Sequence, residues 1–274
     1  MKKVSYQGVQ GAYSQSAAKK FFGEEIDTIG TNSFEDALNY AQDDKALSDV
    51  NYSILPVENS IEGTVGQSID EIVKTNLHAI GEVYLKVEHC LIGRGQLDDI
   101  TKVYSHPQAL GQCSDFIEDH DLKTVPTYDT AGSVNIIKDL EKTCAAIASS
   151  LASNLYDVPI IKEGIANNSN NFTRFLVFSR EKTNESKNDK TSIIFSVKHE
   201  PGALYQILKE FNGNDINLTK IESRPNKNTN WEYNFFVDFL GHSSNSKIKA
   251  VLDSVETNTI FLKIIGSYPI ANLD

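Results

Sequence analysis

The sequence predicts an α/β protein in two parts. A pair of α/β lobes occupies residues 1–180, and a smaller β-α-β-β-α-β module occupies 191–274, with 181–190 as the linker between them. Three observations predict this arrangement. Short β-branched and aromatic runs alternate with helix-capping starts through the first 150 or so positions. The alternation is interrupted once, at 77–85 and 87–92, where two apolar runs follow each other without a helix; there the chain is expected to cross to a second lobe. The charged stretch 181–190 has no apolar periodicity and reads as a linker.

Composition bounds the function. The chain has 274 residues, which suggests two domains at roughly 100–200 residues each. Its mean hydropathy of -0.32 and 40% hydrophobic residues fit a soluble globular protein. A net charge of -11 and the lack of a Lys/Arg cluster argue against nucleic acid as a partner. No apolar run approaches the ~18 residues of a membrane span. Met1-Lys2-Lys3 leads into Val4-Ser5-Tyr6-Gln7-Gly8 rather than a signal segment, so a cytoplasmic setting is expected. Cys90, Cys113 and Cys144 fit neither a zinc spacing nor a disulfide framework and read as buried thiols.

In order, residues 3–7 alternate as a strand and enter Gly8-Val9-Gln10-Gly11-Ala12-Tyr13-Ser14, with a helix from Ser14, as N-cap, to Gly23. Strand, glycine turn and helix start form a recipe for holding an anion on backbone N–H groups, with a plain βα turn as the alternative. A strand at 26–31 precedes a helix capped by Ser33 with Asp36 three residues on. The next strand, 52–57, ends in Glu58-Asn59-Ser60. Polar residues at the carboxyl end of a strand are where open α/β sheets place their sites, so Glu58 and Asn59 are candidates for binding or proton handling. The alternative is a capped loop before a helix near 68–74.

The second lobe repeats the pattern. Strand 102–104 is followed by Ser105-His106-Pro107-Gln108, where Pro107 opens a helix capped by Ser105 or His106. His106 reads as a cap or packing residue rather than a catalyst. Strands at 123–126 and 144–148 lead to Asp129-Thr130-Ala131-Gly132-Ser133 and to Ser149-Ser150-Leu151-Ala152. Hydroxyls and amides thus collect at strand-to-helix junctions in both lobes, and two such lobes facing each other make a cleft for a small anion. In so acidic a chain that anion must be held by helix N-termini or by a single Arg or Lys.

A polar run at 167–171 then enters Phe172-Thr173-Arg174-Phe175-Leu176-Val177-Phe178, a half-buried strand that points Thr173 and Arg174 to opposite faces. Beyond the linker, strands at 192–197, 217–224, 232–240 and 260–266 with helices at 202–212 and 246–256 follow the ferredoxin-like order.

Five segments occur in sequence: Pro56-Val57-Glu58-Asn59-Ser60, Ser105-His106-Pro107-Gln108-Ala109-Leu110, Asn171-Phe172-Thr173-Arg174-Phe175, His199-Glu200-Pro201-Gly202-Ala203-Leu204 and Glu222-Ser223-Arg224-Pro225. Together they closely resemble the prephenate dehydratase family, a catalytic domain followed by an ACT domain, over almost the whole chain. The resemblance implies a catalytic domain like a two-lobed periplasmic binding protein. It also implies conversion of prephenate to phenylpyruvate, water and carbon dioxide on the route to L-phenylalanine. No cofactor or metal is expected, and L-phenylalanine is implied as the effector of a homodimer or homotetramer.

Thr173 is implied as the essential residue, with Glu58, Asn59, Ser105 and Gln112 around the active site. Candidates for substrate binding are Ser14, Thr130, Asn171, Arg174 and Phe175. The effector site between two ACT domains would use Gly202, Ala203, Leu204, Asn217, Leu218, Glu222, Ser223, Arg224 and Pro225. The first loop departs from the many relatives that carry Gly-Pro and Thr-Phe there, which leaves its anion contacts open. No helical chorismate mutase segment precedes the dehydratase, so a monofunctional chain is expected.

Prephenate is a dianion whose ring hydroxyl and ring carboxylate depart as the ring becomes aromatic. Aromatisation drives the reaction, so the enzyme must help hydroxide leave and hold the carboxylates in a productive geometry. Thr173 is expected as hydrogen-bond donor to the departing oxygen, in a relay with Glu58 or water because its own acidity is very weak. Arg174 either clamps a carboxylate or is turned away by strand alternation. The rival readings are a non-catalytic amino-acid sensor and an arogenate dehydratase, whose substrate carries an amine in place of the keto group.

Overall fold

The computed structural model describes residues 1–42, 51–225 and 233–273, which form three sheets. The first lobe is built from β1 (Lys2–Gln7), α1 (Tyr13–Phe22), β2 (Ile26–Thr31), α2 (Phe34–Gln42), β3 (Asn51–Asn59), β4 (Gly63–Thr64), α3 (Gly66–Lys74) and β5 (His78–Lys86). The second contains β6 (Cys90–Gly93), β7 (Lys102–Ser105), α4 (Pro107–Gln112), α5 (Ser114–Asp119), β8 (Lys123–Pro126), α6 (Gly132–Ile137), β9 (Cys144–Ala148), α7 (Ser150–Tyr156) and β10 (Ile160–Lys162). The chain then returns as β11 (Phe172–Ser179), which inserts antiparallel between β3 and β5 in the first sheet, order β2-β1-β3-β11-β5. The lobes are therefore joined by two crossings, the first just after β5 as expected. The strands there run 78–86 and 90–93; the first keeps its expected length one residue later, and the second is shorter than the sequence suggests because 87–89 is the crossing itself.

Local signals act mostly as read. The Ser33 hydroxyl accepts from Asp36 N–H at 3.0 Å, and Ser149 accepts from Ala152 N–H at 3.2 Å. His106 is the cap of α4, its Nδ1 accepting from Gln108 N–H at 3.2 Å. Ser14, expected as the cap of α1, lies inside the first turn. Ala12 holds the cap position with no side-chain hydrogen bond, so the first-turn N–H groups get no cap from it.

The C-terminal module comprises β12 (Asp189–Ser196), α8 (Ala203–Gly213), β13 (Leu218–Pro225), β14 (Tyr233–Leu240), α9 (Ser246–Thr257) and β15 (Phe261–Pro269). Its antiparallel sheet has the order β13-β14-β12-β15, with α8 and α9 packed on one face around Ile193, Phe195, Phe211, Phe239 and Val255. The third strand, expected from Glu232, is described from Tyr233; Glu232 lies outside the described residues. β12 takes in Asp189 and Lys190, which the sequence places in the linker, because both side chains are buried with partners.

β11 explains how the parts fit. Alternation turns Phe175 and Val177 toward α1, in a core with Val4, Tyr6 and Ile54. Leu176 and Phe178 turn the other way, into a core shared with Ile194, Phe236, Ile265 and Tyr268 of the module. The approach of the two sheets requires Gly266, where a Cβ would lie 2.1 Å from the Ala79 carbonyl oxygen. Among the described residues no helix is long and apolar enough to cross a membrane.

Candidate active site

A cavity of about 330 Å³ lies between the lobes. Its floor is the carboxyl end of β3 and the start of β11, where Thr173 pairs in register with Asn59. Ser14 and Tyr13 of α1, Phe175, His89 of the first crossing, Gln112 of α4 and Thr130 before α6 complete the lining. None of the described lining residues is Lys or Arg. The lobes touch across its rim: Ser149 Oγ donates to the Gly11 carbonyl at 2.9 Å. Gly11 has φ +89°, and a Cβ there would come 3.1 Å from Ala152, so the turn needs glycine for both conformation and approach.

Beneath the cavity the polar side chains form one chain of hydrogen bonds, and its direction is fixed. Asn59 Oδ1 accepts from the backbone N–H groups of Ile61 and Glu62 at 3.0 and 2.9 Å, so Nδ2 faces the other way. That nitrogen donates to Asn171 Oδ1 at 2.7 Å and to Thr173 Oγ1 at 3.0 Å. Asn171 Nδ2 then donates to Gln112 Oε1 at 3.2 Å, while Gln112 Nε2 donates to the Glu62 carboxylate at 3.3 Å. His89 Nε2, 2.9 Å from Gln112 Oε1, must therefore carry a hydrogen. The consequence for Thr173 is direct. Its oxygen already accepts from Asn59, so its one hydrogen is available to the cavity it lines.

The other expected site residues divide. Asn59, Gln112, Ser14, Thr130, Phe175 and Thr173 line the cavity, and fully buried Asn171 bridges two of them from below. Ser105 does not reach it; its hydroxyl donates to the Ile147 carbonyl at 2.7 Å and ties β7 to β9. Glu58 and Arg174, paired in register one step from Asn59 and Thr173, face the opposite side of the sheet. Arg174 is 3% exposed and donates to Glu82 at 2.7 Å, Asp238 at 2.5 Å and Tyr268 at 2.9 Å, so it cannot clamp a substrate carboxylate in the cleft. Burial works against its charge, but Tyr268, Asp238 and Glu82 hold its pKa well above the ordinary arginine value. Glu58 accepts from Lys220 Nζ at 2.8 Å and is no relay for Thr173. Strand alternation, a period of two, accounts for both corrections.

Sequence reasoning missed Tyr13 and His89. The only signal for them was position: Tyr13 precedes Ser14 at the first helix start, and His89 sits on the lobe crossing.

Residues 4–183 match the family model for prephenate dehydratase. The chain belongs to the prephenate dehydratase family. Residues 191–257 match the ACT domain. The chain is 37% identical to a bifunctional chorismate mutase/prephenate dehydratase of Pseudomonas aeruginosa, covering 99% of this chain and 74% of that protein. It is 36% identical to an arogenate dehydratase/prephenate dehydratase of Arabidopsis thaliana, with 98% and 73% covered. Among solved structures it is similar to a prephenate dehydratase from Arthrobacter aurescens in complex with L-Phe, at TM-score 0.87, 28% identity and 98% and 90% coverage. It is also similar to GqqA, described as a quorum quenching acylase, at TM-score 0.88, 27% identity and 98% coverage of each chain. The fold is thus the two-lobed, periplasmic-binding-protein-like dehydratase with an ACT domain, and the chain is a lyase of that family.

In this dehydratase the ACT domain grips the reverse face of the catalytic sheet. Glu82 meets both Arg174 and Lys190, and Asp238 meets Arg174, so two cations and two anions are buried together. Of the expected effector residues, Ala203 and Leu204 line a hollow of about 170 Å³ with Lys198, His199, Tyr233 and Phe235, directly after Gly202, the cap of α8 at φ +83°. Leu218, Glu222, Ser223 and Pro225 lie along the edge strand β13 with Asn217 just before it, outside that hollow. Arg224 is directed to the catalytic lobe, donating to both Asp70 oxygens at 3.1 and 3.0 Å.

Proposed function

We propose that this enzyme converts prephenate to phenylpyruvate, water and carbon dioxide, with Thr173 as hydrogen-bond donor to the departing ring hydroxyl. The observation that carries this is the direction of the chain at Asn59: a Thr173 oxygen that accepts from Nδ2 presents its hydrogen to the cleft. Hydroxide leaves against that hydrogen, and water in the cleft supplies the proton that the weakly acidic threonine does not. Ser14, Thr130 and the uncapped first turn of α1 are the groups for the carboxylates. The same geometry disfavours an acylase reading. A nucleophilic threonine needs a base at its oxygen, and the neighbour here is a donor.

L-phenylalanine is the proposed effector. It would bind where the Gly202–Leu204 turn of one ACT domain meets the β13 edge of another, in a homodimer or homotetramer in the cytoplasm. The two sets of residues do not share a hollow within one chain, which supports a two-chain site.

The test is turnover of prephenate, followed by phenylpyruvate absorbance in alkali, beside turnover of arogenate. The wild type is expected to turn over prephenate. Thr173→Ala is expected to lose roughly 10²–10⁴-fold in kcat with the fold intact, and Thr173→Ser to retain a sizeable share. Parent-like turnover by Thr173→Ala would remove Thr173 from the mechanism.

A further inference from the structure

A dianion has to enter a cavity in which no described lining residue is Lys or Arg. The missing cation can come from a group that is neutral at rest and charged when occupied. His89 lines the cavity and is 2% exposed. Its Nε2 must be protonated, because Gln112 Oε1 at 2.9 Å already accepts from Asn171. Its Nδ1 lies 3.0 Å from the Tyr13 hydroxyl, which lies 2.8 Å from the Glu88 carbonyl.

Tyr13 has one hydrogen for those two neighbours. With a neutral ring the hydrogen goes to Nδ1, and the Glu88 carbonyl receives nothing from it. With a protonated ring Nδ1–H donates to the Tyr13 oxygen, and the Tyr13 hydrogen turns to Glu88. Every contact is then made. The site is thus built to accept a second proton on His89 with only a hydroxyl rotation.

We propose that His89 is the cation of the cleft: it takes up a proton at Nδ1 when the dicarboxylate substrate binds, and the Tyr13 hydroxyl swings from Nδ1 to the Glu88 carbonyl. The proton comes from solvent and returns to it when the product leaves, so no bond to the substrate is made. This rests on the dicarboxylate substrate proposed above.

The surroundings agree. Burial holds the resting ring below the ordinary histidine range, against the hydrogen bond it donates to Gln112, so the empty site is neutral. A substrate carboxylate close to the ring favours the charged form and so works against that lowering. The groups around the ring do not supply the charge. Tyr13 of α1 keeps its hydrogen, since burial and then Cys90, Cys113 and Glu88 push its pKa well up. Burial pushes the thiols of Cys90 and Cys113 up to about 11 and about 12, so both stay neutral. The Glu88 carboxylate is paired with Lys86 at 2.5 Å, and Glu62 lies one residue away, beyond Gln112. His106 and Asp129 stand elsewhere on the cavity wall, with His106 Nδ1 engaged as the α4 cap and Asp129 Oδ1 accepting from Gly132 N–H.

The experiment uses the full-length enzyme and the saturated-ring analogue of prephenate, which keeps both carboxylates and cannot aromatise. Nitrogen NMR of the labelled histidine ring at pH 7.5 is expected to show one protonated and one bare nitrogen in the free enzyme, and two protonated nitrogens in the complex. Titration calorimetry in buffers of different ionisation heat is expected to find most of one proton taken up per site. His89→Gln should abolish that uptake and weaken the analogue by roughly 10-fold or more, the worth of an opposite charge held close by. A ring that stays singly protonated in the complex, or uptake that persists in His89→Gln, overturns the proposal. The NMR arm needs no substitution and stands even if the variant does not fold. Should the wild type act on arogenate and not prephenate, the function proposed above fails. The saturated-ring analogue of arogenate, also a dicarboxylate, then decides this inference.

Discussion

Asn59 sets the polarity of the cleft. Its oxygen is held by two backbone N–H groups, so its nitrogen can only give, and Thr173 can only receive from it. Asn59→Asp keeps the shape and reverses the polarity: a carboxylate beside Thr173 accepts the hydroxyl hydrogen that the leaving group needs. The expected result is a loss in kcat of about 10²-fold or more, the usual worth of a positioned donor, with a lower melting temperature as well, because the new carboxylate oxygen faces Asn171 Oδ1 where Nδ2 had donated. His89 adds a pH dependence of stability. Its folded pKa is lowered by burial, so its contribution is complete above the unfolded value of about 6.5 and is lost as pH falls through the lower folded value. Urea melts at pH 7.5 and 5.5 should show a smaller acid loss for His89→Gln than for the parent.

At the scale of the element, β11 does two jobs because its faces do. Thr173 and Phe175 look into the cleft, while Arg174, Leu176 and Phe178 look into the ACT domain. Removing Arg174 leaves Glu82 and Asp238 short of a cation in a buried cluster, and breaking such a pair costs about 3–5 kcal/mol. Arg174→Met is therefore expected to lower unfolding stability by that order. KM of the folded fraction should stay within about threefold, since the guanidinium does not reach the cleft. A large rise in KM with stability preserved would restore Arg174 as a substrate clamp.

Over the whole molecule, the strand that carries the expected effector residues also touches the catalytic sheet. Lys220 of β13 holds Glu58 at 2.8 Å and Thr64 at 3.0 Å, and Glu58 is the backbone neighbour of Asn59. A shift of β13 on binding L-phenylalanine would therefore be felt beside the donor chain. L-phenylalanine at ~100 times its dissociation constant should stabilise the enzyme by about 2.7 kcal/mol. Lys220→Met is expected to keep that stabilisation and to lose most of the change in turnover that L-phenylalanine causes in the parent, as read by paired melts and rate assays. An equal change in Lys220→Met would place the coupling elsewhere.

The sequence by itself determined the periods, the caps and the order of elements, because these depend on neighbours a few residues apart. From them came the lobe crossing, the Ser33 and Ser149 caps, the ferredoxin-like module and Thr173 on a strand leaving a loop. The carboxyl end of a strand marked Asn59, and the family resemblance added Gln112. Tertiary structure decided which strand face met the cleft and which met the ACT domain. Glu58 and Arg174 share motifs with Asn59 and Thr173 yet stand on the far side of the sheet. It also brought Tyr13 to His89 across 76 positions, joining two residues with no shared motif. The physical reason is the same in both cases. Side-chain direction follows the local period, but what lies in that direction is set by which distant surfaces pack together.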